Sequence, residues 1–333
     1  MLRPPLPVLA LAVATLGLAG CGNGAGGSTT STRPAIKVGY AFSHDPRAVA
    51  DGLGFARLRR DGIAVQVLDL GGVANAVVAL VRGDVQLEAM PYSTAIRATE
   101  EGAHLRVVLG QSMASDALLV VRPGITSVEE LRGKRITVEE RGLDGESLVR
   151  ETLARADMPS ADVKLSVLAD PAARARELAT RRTDAAVLDE AGYEQLLRRG
   201  LQVNVLARLA DVRPRSAQTV WVVAQDYEQA HRRLVGRVVR GLLDGYAFAY
   251  TPSGRRAWIA LARRSALVDD PGLAPRIYDF YKAARAWPLR DEPVTPAQHR
   301  RTVRYWLRVH ELDEYVPFSR IWDTSFWRHA ARR

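Results

Sequence analysis

The stretch from Val65 to Gly110 constrains the fold of this chain more than any other. It reads V-Q-V-L-D-L, G-G, V-A-N-A-V-V-A-L-V-R, G-D-V-Q-L-E-A-M, P-Y-S-T-A-I-R-A-T-E-E-G-A and H-L-R-V-V-L-G. The opening β-branched run predicts a buried strand. Ala74, Val77, Val78 and Val81 recur at helical spacing, and Val85, Leu87 and Val107 to Leu109 return to strand chemistry. Strand, helix, strand, helix, strand with short connections predicts a parallel sheet with crossover helices, and ligands of such sheets collect at the carboxyl ends of the strands. Gly71-Gly72 and Met90-Pro91-Tyr92-Ser93 occupy two such ends.

The same grammar returns from Val163 to Ala207. V-K-L-S-V-L leads through Asp170-Pro171, an N-cap followed by proline at the first helical position, into a helix with Ala172, Ala175 and Ala179 on one face. Thr183-Asp184 matches Gly83-Asp84. D-A-A-V-L-D-E then matches D-V-Q-L-E-A-M, followed by a helix, a stop at Gly200 and a strand from Leu201 to Leu206. Two similar α/β lobes with a cleft between their strand ends are therefore expected.

The chain has 333 residues, of which 47% are hydrophobic, enough for two globular units. Met1-Leu2-Arg3 and the apolar run from Leu6 to Gly20 have the form of a secretory signal, too short for a membrane span. Leu18-Ala19-Gly20-Cys21 resembles a bacterial lipobox, in which the cysteine is lipidated and becomes the mature N-terminus. Cys21 is the only cysteine, so no disulfide can form within the chain. Residues 23–34 are rich in Gly, Ser and Thr and suit a flexible tether. The expected boundaries are a signal peptide at 1–20, a tether at 21–34, a first lobe from 35–115 plus 220–333, and a second from 116–219.

The net charge of +10 is carried almost wholly by dispersed arginines; the lysines are only Lys37, Lys134, Lys164 and Lys282. The basic residues do not gather with aromatics on one face, so no nucleic-acid partner is expected. Attraction to an anionic membrane surface remains compatible with a lipid anchor.

Along the chain, Ile36 to Tyr40 predicts a first strand opening into Ala41 to Pro46, a loop aimed at the cleft, followed by a helix holding Val49, Leu53 and Leu58. The chain is expected to cross between lobes at Gln111 to Asp116, before a strand at Ala117 to Val121, and to return through Ser216 to Ala224. Thr126 to Glu129 forms a capping box in which Glu129 reaches back, Arg135 to Val138 a strand, and Glu139 to Gly145 a loop whose following helix start offers free amides. From Asp226 onward the pattern is helical. Val235, Val238, Val239, Leu242 and Tyr246 share one face, Pro252 starts another helix, and Thr295 to Gln298 caps a third. These helices should pack on the first lobe, with Trp306, Trp322 and Trp327 as core.

No catalytic constellation appears. Gly110-Gln111-Ser112-Met113-Ala114 fails the last place of G-x-S-x-G, His310-Glu311 lacks a second histidine, and the six histidines are scattered. There is no P-loop or dinucleotide fingerprint. No metal, cofactor or enzymatic activity is implied.

Val81-Arg82-Gly83-Asp84 before a strand and Pro91, Ser127-Val128-Glu129-Glu130-Leu131-Arg132-Gly133-Lys134-Arg135-Ile136-Thr137-Val138, and the closing Trp322-Asp323-Thr324-Ser325-Phe326 together resemble a known family. It is the nitrate, taurine and aliphatic-sulfonate class of ABC-transporter substrate-binding proteins, which includes thiamine-pyrimidine binders. The resemblance implies a type II periplasmic-binding-protein fold. Each of its two lobes would be a mixed, mostly parallel sheet flanked by helices, with a helical C-terminal extension. It also implies a lipid-anchored monomer on the extracytoplasmic face that captures a small molecule or oxyanion and delivers it to ABC permease subunits. A lipoprotein using the same cleft for sensing or as a scaffold is the alternative. A pyrimidine synthase that resembles this class relies on a cysteine-rich motif, which is missing here.

Oxyanion-binding members use hydroxyls, arginine and helix-start amides, for which Ser93, Ser112, Ser147 and Arg141 are placed here. Gly72, however, is followed by Val73, where many relatives carry a hydroxyl. The expected cleft loops also carry Asp45, Glu88, Asp116, Glu139, Asp144, Asp189 and Glu190. A bare anion would meet like charge there, whereas an amine-bearing or neutral heterocycle could stack on Tyr92 or Phe42. The expected ligand-binding set is Phe42, Ser43, His44, Asn75, Tyr92, Ser93, Ser112, Glu139, Arg141, Ser147 and Asp189, with Cys21 as the lipidation site.

Overall fold

A computed structural model describes residues 34–41, 46–212, 216–265, 268, 270–308 and 310–332. The expected signal peptide, Cys21 and all of the tether except Pro34 lie outside the described residues, as do Phe42, Ser43, His44 and Asp45.

The chain opens with β1 (Ala35–Tyr40), α1 (Val49–Arg60), β2 (Ala64–Asp69), α2 (Val73–Arg82), β3 (Leu87–Pro91), α3 (Tyr92–Glu100) and β4 (Leu105–Ser112). It continues through β5 (Leu118–Val121), β6 (Arg135–Val138), α4 (Asp144–Arg155), β7 (Lys164–Val167), α5 (Pro171–Ala179), β8 (Ala185–Leu188), α6 (Glu190–Arg198), β9 (Asn204–Arg208), α7 (Leu209–Val212) and β10 (Thr219–Ala224). Helices follow: α8 (Gln225–Ala230), α9 (Arg232–Ala249), α10 (Pro252–Ala262), α11 (Ala274–Ala283), α12 (Pro296–Arg308), α13 (Phe318–Ile321) and α14 (Ser325–Ala331). The alternation expected from Val65 to Gly110 and from Val163 to Ala207 is present in both places, but β2, expected as a buried strand, is the edge strand of its sheet and none of its residues is buried, because only one side of it has a neighbour.

Two five-stranded sheets result, ordered β2-β1-β3-β10-β4 and β7-β6-β8-β5-β9. In the first, β1 runs parallel to β2 and β3, and β10 lies antiparallel between β3 and β4. In the second, β6 runs parallel to β7 and β8, and β5 lies antiparallel between β8 and β9. The two orders correspond strand for strand, so the near-repeat in sequence is a repeat of topology. The sheet read from Val65 to Gly110 alone as parallel is thus mixed. The physical reason is direction: the parallel strands point their carboxyl ends at the cleft, and a strand that arrives from the opposite lobe enters from the cleft and must run the other way.

Local details sharpen two expectations. The helix α2 forms where its periodicity places it, but it buries Ala76, Ala79 and Leu80 and leaves Val78 and Val81 about half exposed, at 47% and 57%. Apolar residues cover all of its circumference except the side of Asn75 and Arg82, so the pattern identifies a helix without choosing its buried face. The capping box before β6 is closed by Glu130, whose Oε2 accepts from the Thr126 amide at 2.6 Å, and not by Glu129.

The helices after β10 complete the first lobe's core. Trp221, Trp258, Trp287, Trp306 and Trp327 are fully buried there, and Trp322 nearly so. The α1 and α9 helices approach so closely that a side-chain carbon on Gly245 would lie 2.3 Å from the Gly54 backbone nitrogen. Thr295 and Gln298 cap α12 reciprocally: the Thr295 amide donates to Gln298 Oε1 at 2.8 Å and the Gln298 amide to Thr295 Oγ1 at 3.2 Å.

Candidate functional site

The carboxyl ends of both sets of parallel strands open into one cavity of about 770 Å³. The first lobe lines it with Tyr40 and Ala41 from the end of β1, Asp69 and Gly71 after β2, and Pro91 and Ser93 at the step from β3 to α3. Both crossing segments contribute, through Gln111, Ser115, Asp116 and Ala117 on the outward path and Gln218 and Thr219 on the return. The second lobe supplies Glu139, Asp144, Asp170, Arg174 and Asp189, with Leu143 and Leu188 as apolar contacts. The two crossings are joined by the Gln218 amide, which donates to Ser112 O at 2.8 Å.

The floor on the first lobe is organised by Asp51, which is completely buried on α1. Its Oδ2 accepts from Tyr40 Oη and from Gln111 Nε2, each at 2.8 Å, and its Oδ1 accepts from Tyr246 Oη at 2.6 Å. Tyr246 Oη in turn accepts from Trp221 Nε1 at 2.8 Å. A buried carboxylate with several donors repays its desolvation and fixes the orientation of each donor. Tyr40 and Gln111, both cavity residues, are held this way.

The second lobe's wall centres on Arg174, another buried charge. Its Nε donates to Val187 O, and one terminal nitrogen donates to both Leu168 O and Ala169 O, all at 2.8 Å. Burial lowers its pKa, and the surrounding Glu139, Asp189 and Asp170 oppose that shift. Glu139 is pushed upward by burial, partly offset by the Gly145 amide and by Arg174. Beside this wall Glu190 is raised to about 7, first by burial, with Arg208 opposing from 3.8 Å.

Of the residues expected to bind ligand, Ser93, Glu139 and Asp189 line the cavity. The others that are described have internal partners and do not line it. Tyr92 is buried, with its hydroxyl bonded to His299 Nδ1 and accepting from Trp322 Nε1 at 2.5 Å, so its ring is core and not a stacking platform. Ser112 Oγ donates to Ala114 O at 2.9 Å, and Asn75 Nδ2 to Leu70 O at 2.9 Å. Ser147 Oγ donates across the lobes to Glu311 Oε2 at 2.8 Å, and Arg141 pairs with Glu146 at 3.0 Å. The amides expected to be free at the start of α4 are also occupied: Gly145 N donates to Glu139 Oε1 at 2.7 Å and Gly142 N to Glu146 Oε2 at 2.7 Å.

Gln111, Gln218 and Arg174 are cavity residues that the sequence reading did not single out. The first two stand within the expected crossing segments. Arg174 lies between Ala172 and Ala175 in the first turns of α5, and its guanidinium is held inward by the carbonyls of Leu168, Ala169 and Val187. Among the described residues, no group of three or more His, Cys, Asp or Glu side chains is placed to hold a metal ion.

Two lobes of this topology, joined by paired crossings over a shared cavity, define the type II periplasmic-binding-protein architecture. The fold matches the ligand-binding component of an ABC-type import system from Staphylococcus aureus, solved with zinc bound, at a TM-score of 0.74 and 12% identity over 90% of this chain and 100% of that one. It matches the alkanesulfonate-binding protein SsuA of Xanthomonas axonopodis pv. citri, bound to MOPS, at 0.68 and 20% over 87% and 98%. The desulfurization enzyme DSZB, as a mutant in complex with biphenyl-2-sulfinic acid, matches at 0.67 and 19% over 90% and 99%. The model of the NMT1/THI5-like family matches residues 41–253, and the chain belongs to that family. No curated protein sequence matches it significantly.

Proposed function

We propose that this protein is the solute-binding component of an ABC import system and that it captures a small organic molecule between its lobes and presents it to a permease. The observation that carries this reading is the cavity itself. It is lined from both lobes and by both crossing segments, so a bound solute touches every part that moves when the lobes close. Such a ligand favours the closed state by the difference between its contacts in the closed and open forms. A permease that recognises the closed form then distinguishes loaded from empty protein.

Ser93, Glu139 and Asp189 are proposed to contact the solute together with Gln111, Gln218 and Arg174. Phe42, Ser43 and His44 follow directly in sequence on Ala41, which lines the cavity. The lobes are proposed to divide at 35–115 plus 220–333 and 116–219, and the protein to act as a monomer without enzymatic activity. A screen of sulfonates, nitrate, aminopyrimidines and small amines is expected to yield a compound that raises the melting temperature and reduces the radius of gyration in solution scattering. At a hundredfold excess over Kd the stabilisation should reach about 2.7 kcal/mol. A screen in which nothing shifts either quantity sinks the reading.

The protein is further proposed to act on the extracytoplasmic face of the membrane, held there by lipid on Cys21. Among the described residues no helix is long and apolar enough to cross a membrane. Cys21→Ser is expected to move the protein from the detergent phase to the aqueous phase in phase partitioning. A variant that stays in the detergent phase removes the anchor from the proposal.

A further inference from the structure

Beside the cavity the two lobes also hold each other directly. The helix α6 lies between β8 and β9 of the second sheet, yet one side of it meets residues 268–277, which belong with the first lobe's core. Ala191 on α6 packs against that core, and Val268, Leu273 and Ile277 across the contact are buried. Between them remains a gap of about 20 Å³, room for one water. Two ion pairs accompany the apolar contact. Arg198 Nη1 donates to Asp270 Oδ2 at 2.9 Å, and Arg276 Nη1 lies 2.9 Å from Glu194 Oε2. Arg198 comes this close because residue 272 is glycine: a side-chain carbon there would stand 2.5 Å from Arg198 Nη1.

The charges are arranged to fit one placement. Glu194 and Arg198 are four residues apart and so share a side of α6. They meet a cation and an anion respectively, so both pairs form together only in the register seen. A second tie joins the lobes elsewhere. Ser147 on α4 donates to Glu311 Oε2 at 2.8 Å, and both residues are buried. Arg97 on α3 donates to the Glu311 carbonyl at 3.0 Å, which fixes that acceptor to the first lobe. None of these side chains lines the cavity. Their contribution to closure therefore does not depend on what the cavity holds.

We infer that α6 with residues 268–277, and Ser147 with Glu311, clasp the lobes in the closed arrangement without a solute; this rests on the reading of the cavity as the binding cleft. A solute then adds its contacts to a closure already favoured, and its apparent affinity rises with the fraction of protein that is closed. One exposed ion pair contributes little, but two pairs and a buried hydrogen bond together shift the closed-to-open ratio by about tenfold or more. The side chains of Arg198 and Arg276 are about half exposed, at 46% and 59%, so salt weakens the clasp.

Small-angle scattering tests this with no solute added, on the whole chain carrying Cys21→Ser so that no lipid contributes, with data extrapolated to zero concentration. The parent protein is expected to be compact at about 50 mM NaCl and to expand at about 1 M, where the ion pairs are screened. Arg198→Glu with Arg276→Glu turns both attractions into repulsions, so this variant should be expanded at low salt and contract at high salt. The opposite sign of the salt response is the signature of the ion pairs, which a merely structural role would not produce. Ser147→Ala cuts the other tie without touching a charge and should expand the protein at both salt concentrations. Circular dichroism is expected to be unchanged in all three proteins, because the substitutions fall on half-exposed arginines and on one small side chain. One radius of gyration shared by all three proteins overturns the inference. A parent already expanded at low salt overturns it too, as does a salt response of the same sign in the parent and the charge-reversed variant. Each of these results leaves the solute-binding reading standing, to be decided by the compound screen.

Discussion

Replacing Glu88 by methionine is expected to stabilise the protein by roughly 3 kcal/mol at pH 7. Glu88 stands in β3, fully buried, and neither carboxyl oxygen has a hydrogen-bond partner among the described residues. Its carboxyl lies over Gly39, where a side-chain carbon would come within 1.9 Å of Glu88 Oε2, and against Leu70. Burial raises its pKa from 4.5 to about 8, and the backbone at Ala41 offsets this only in part. The sign follows from linkage. Between pH 4.5 and 8 the folded state keeps a proton that the unfolded chain releases, so stability is highest below that window. It falls by at most about 1.4 kcal/mol per pH unit as pH rises through the window and levels off above it. Methionine has nearly the same length, needs no proton and should flatten that slope. Denaturant titrations of both proteins at pH 5, 7 and 8.5 check the prediction. Parallel pH profiles would show that Glu88 does not titrate in this range.

Asp51→Ala is expected to have the opposite and equally large effect, a loss on the order of 4 kcal/mol. The substitution removes the buried carboxylate that accepts from Tyr40, Gln111 and Tyr246. Asp51→Asn should cost less, because one oxygen remains, but its amide group then faces a donor. The melting temperature of Asp51→Ala should drop by about 10 °C. Because Tyr40 and Gln111 line the cavity, any ligand found for the protein should also bind it more weakly in Asp51→Asn, even at temperatures where that variant is fully folded. An unchanged melting temperature in Asp51→Ala would show that the network contributes little.

The alternation of strands and helices was legible because buried strands and amphipathic helices have different periods, and the two units repeat them. The chain leaves the first sheet after Ser112 and re-enters it at Thr219, within the stretches expected to cross, Gln111 to Asp116 and Ser216 to Ala224. What periodicity does not carry is neighbourhood across the sheet. Nothing in T-V-W-V-V-A says that it lies between β3 and β4. Polar residues of the site were harder still. Ser112 and Asn75 satisfy themselves on carbonyls two and five residues away, a choice made by local turns. Ser147 finds Glu311, which is 164 residues distant, and Tyr92 finds His299 on α12 and Trp322 just after α13. Glu139, Asp170 and Asp189 share a wall because three separate helices start there. Only Asp170 showed its capping role in the sequence, through the proline that follows it.

The antiparallel strand at the fourth position of each sheet also governs the order in which the chain can assemble. Every strand of the second sheet lies between Leu118 and Arg208, so that lobe is contiguous and can close while the remainder is still being made. The first sheet differs. Until Thr219 to Ala224 has been synthesised, β3 and β4 have no strand between them, and their apolar faces await helices that come later still. The lobe encoded first is therefore finished last, and its unpaired edges are the stretch of the pathway most open to misassembly.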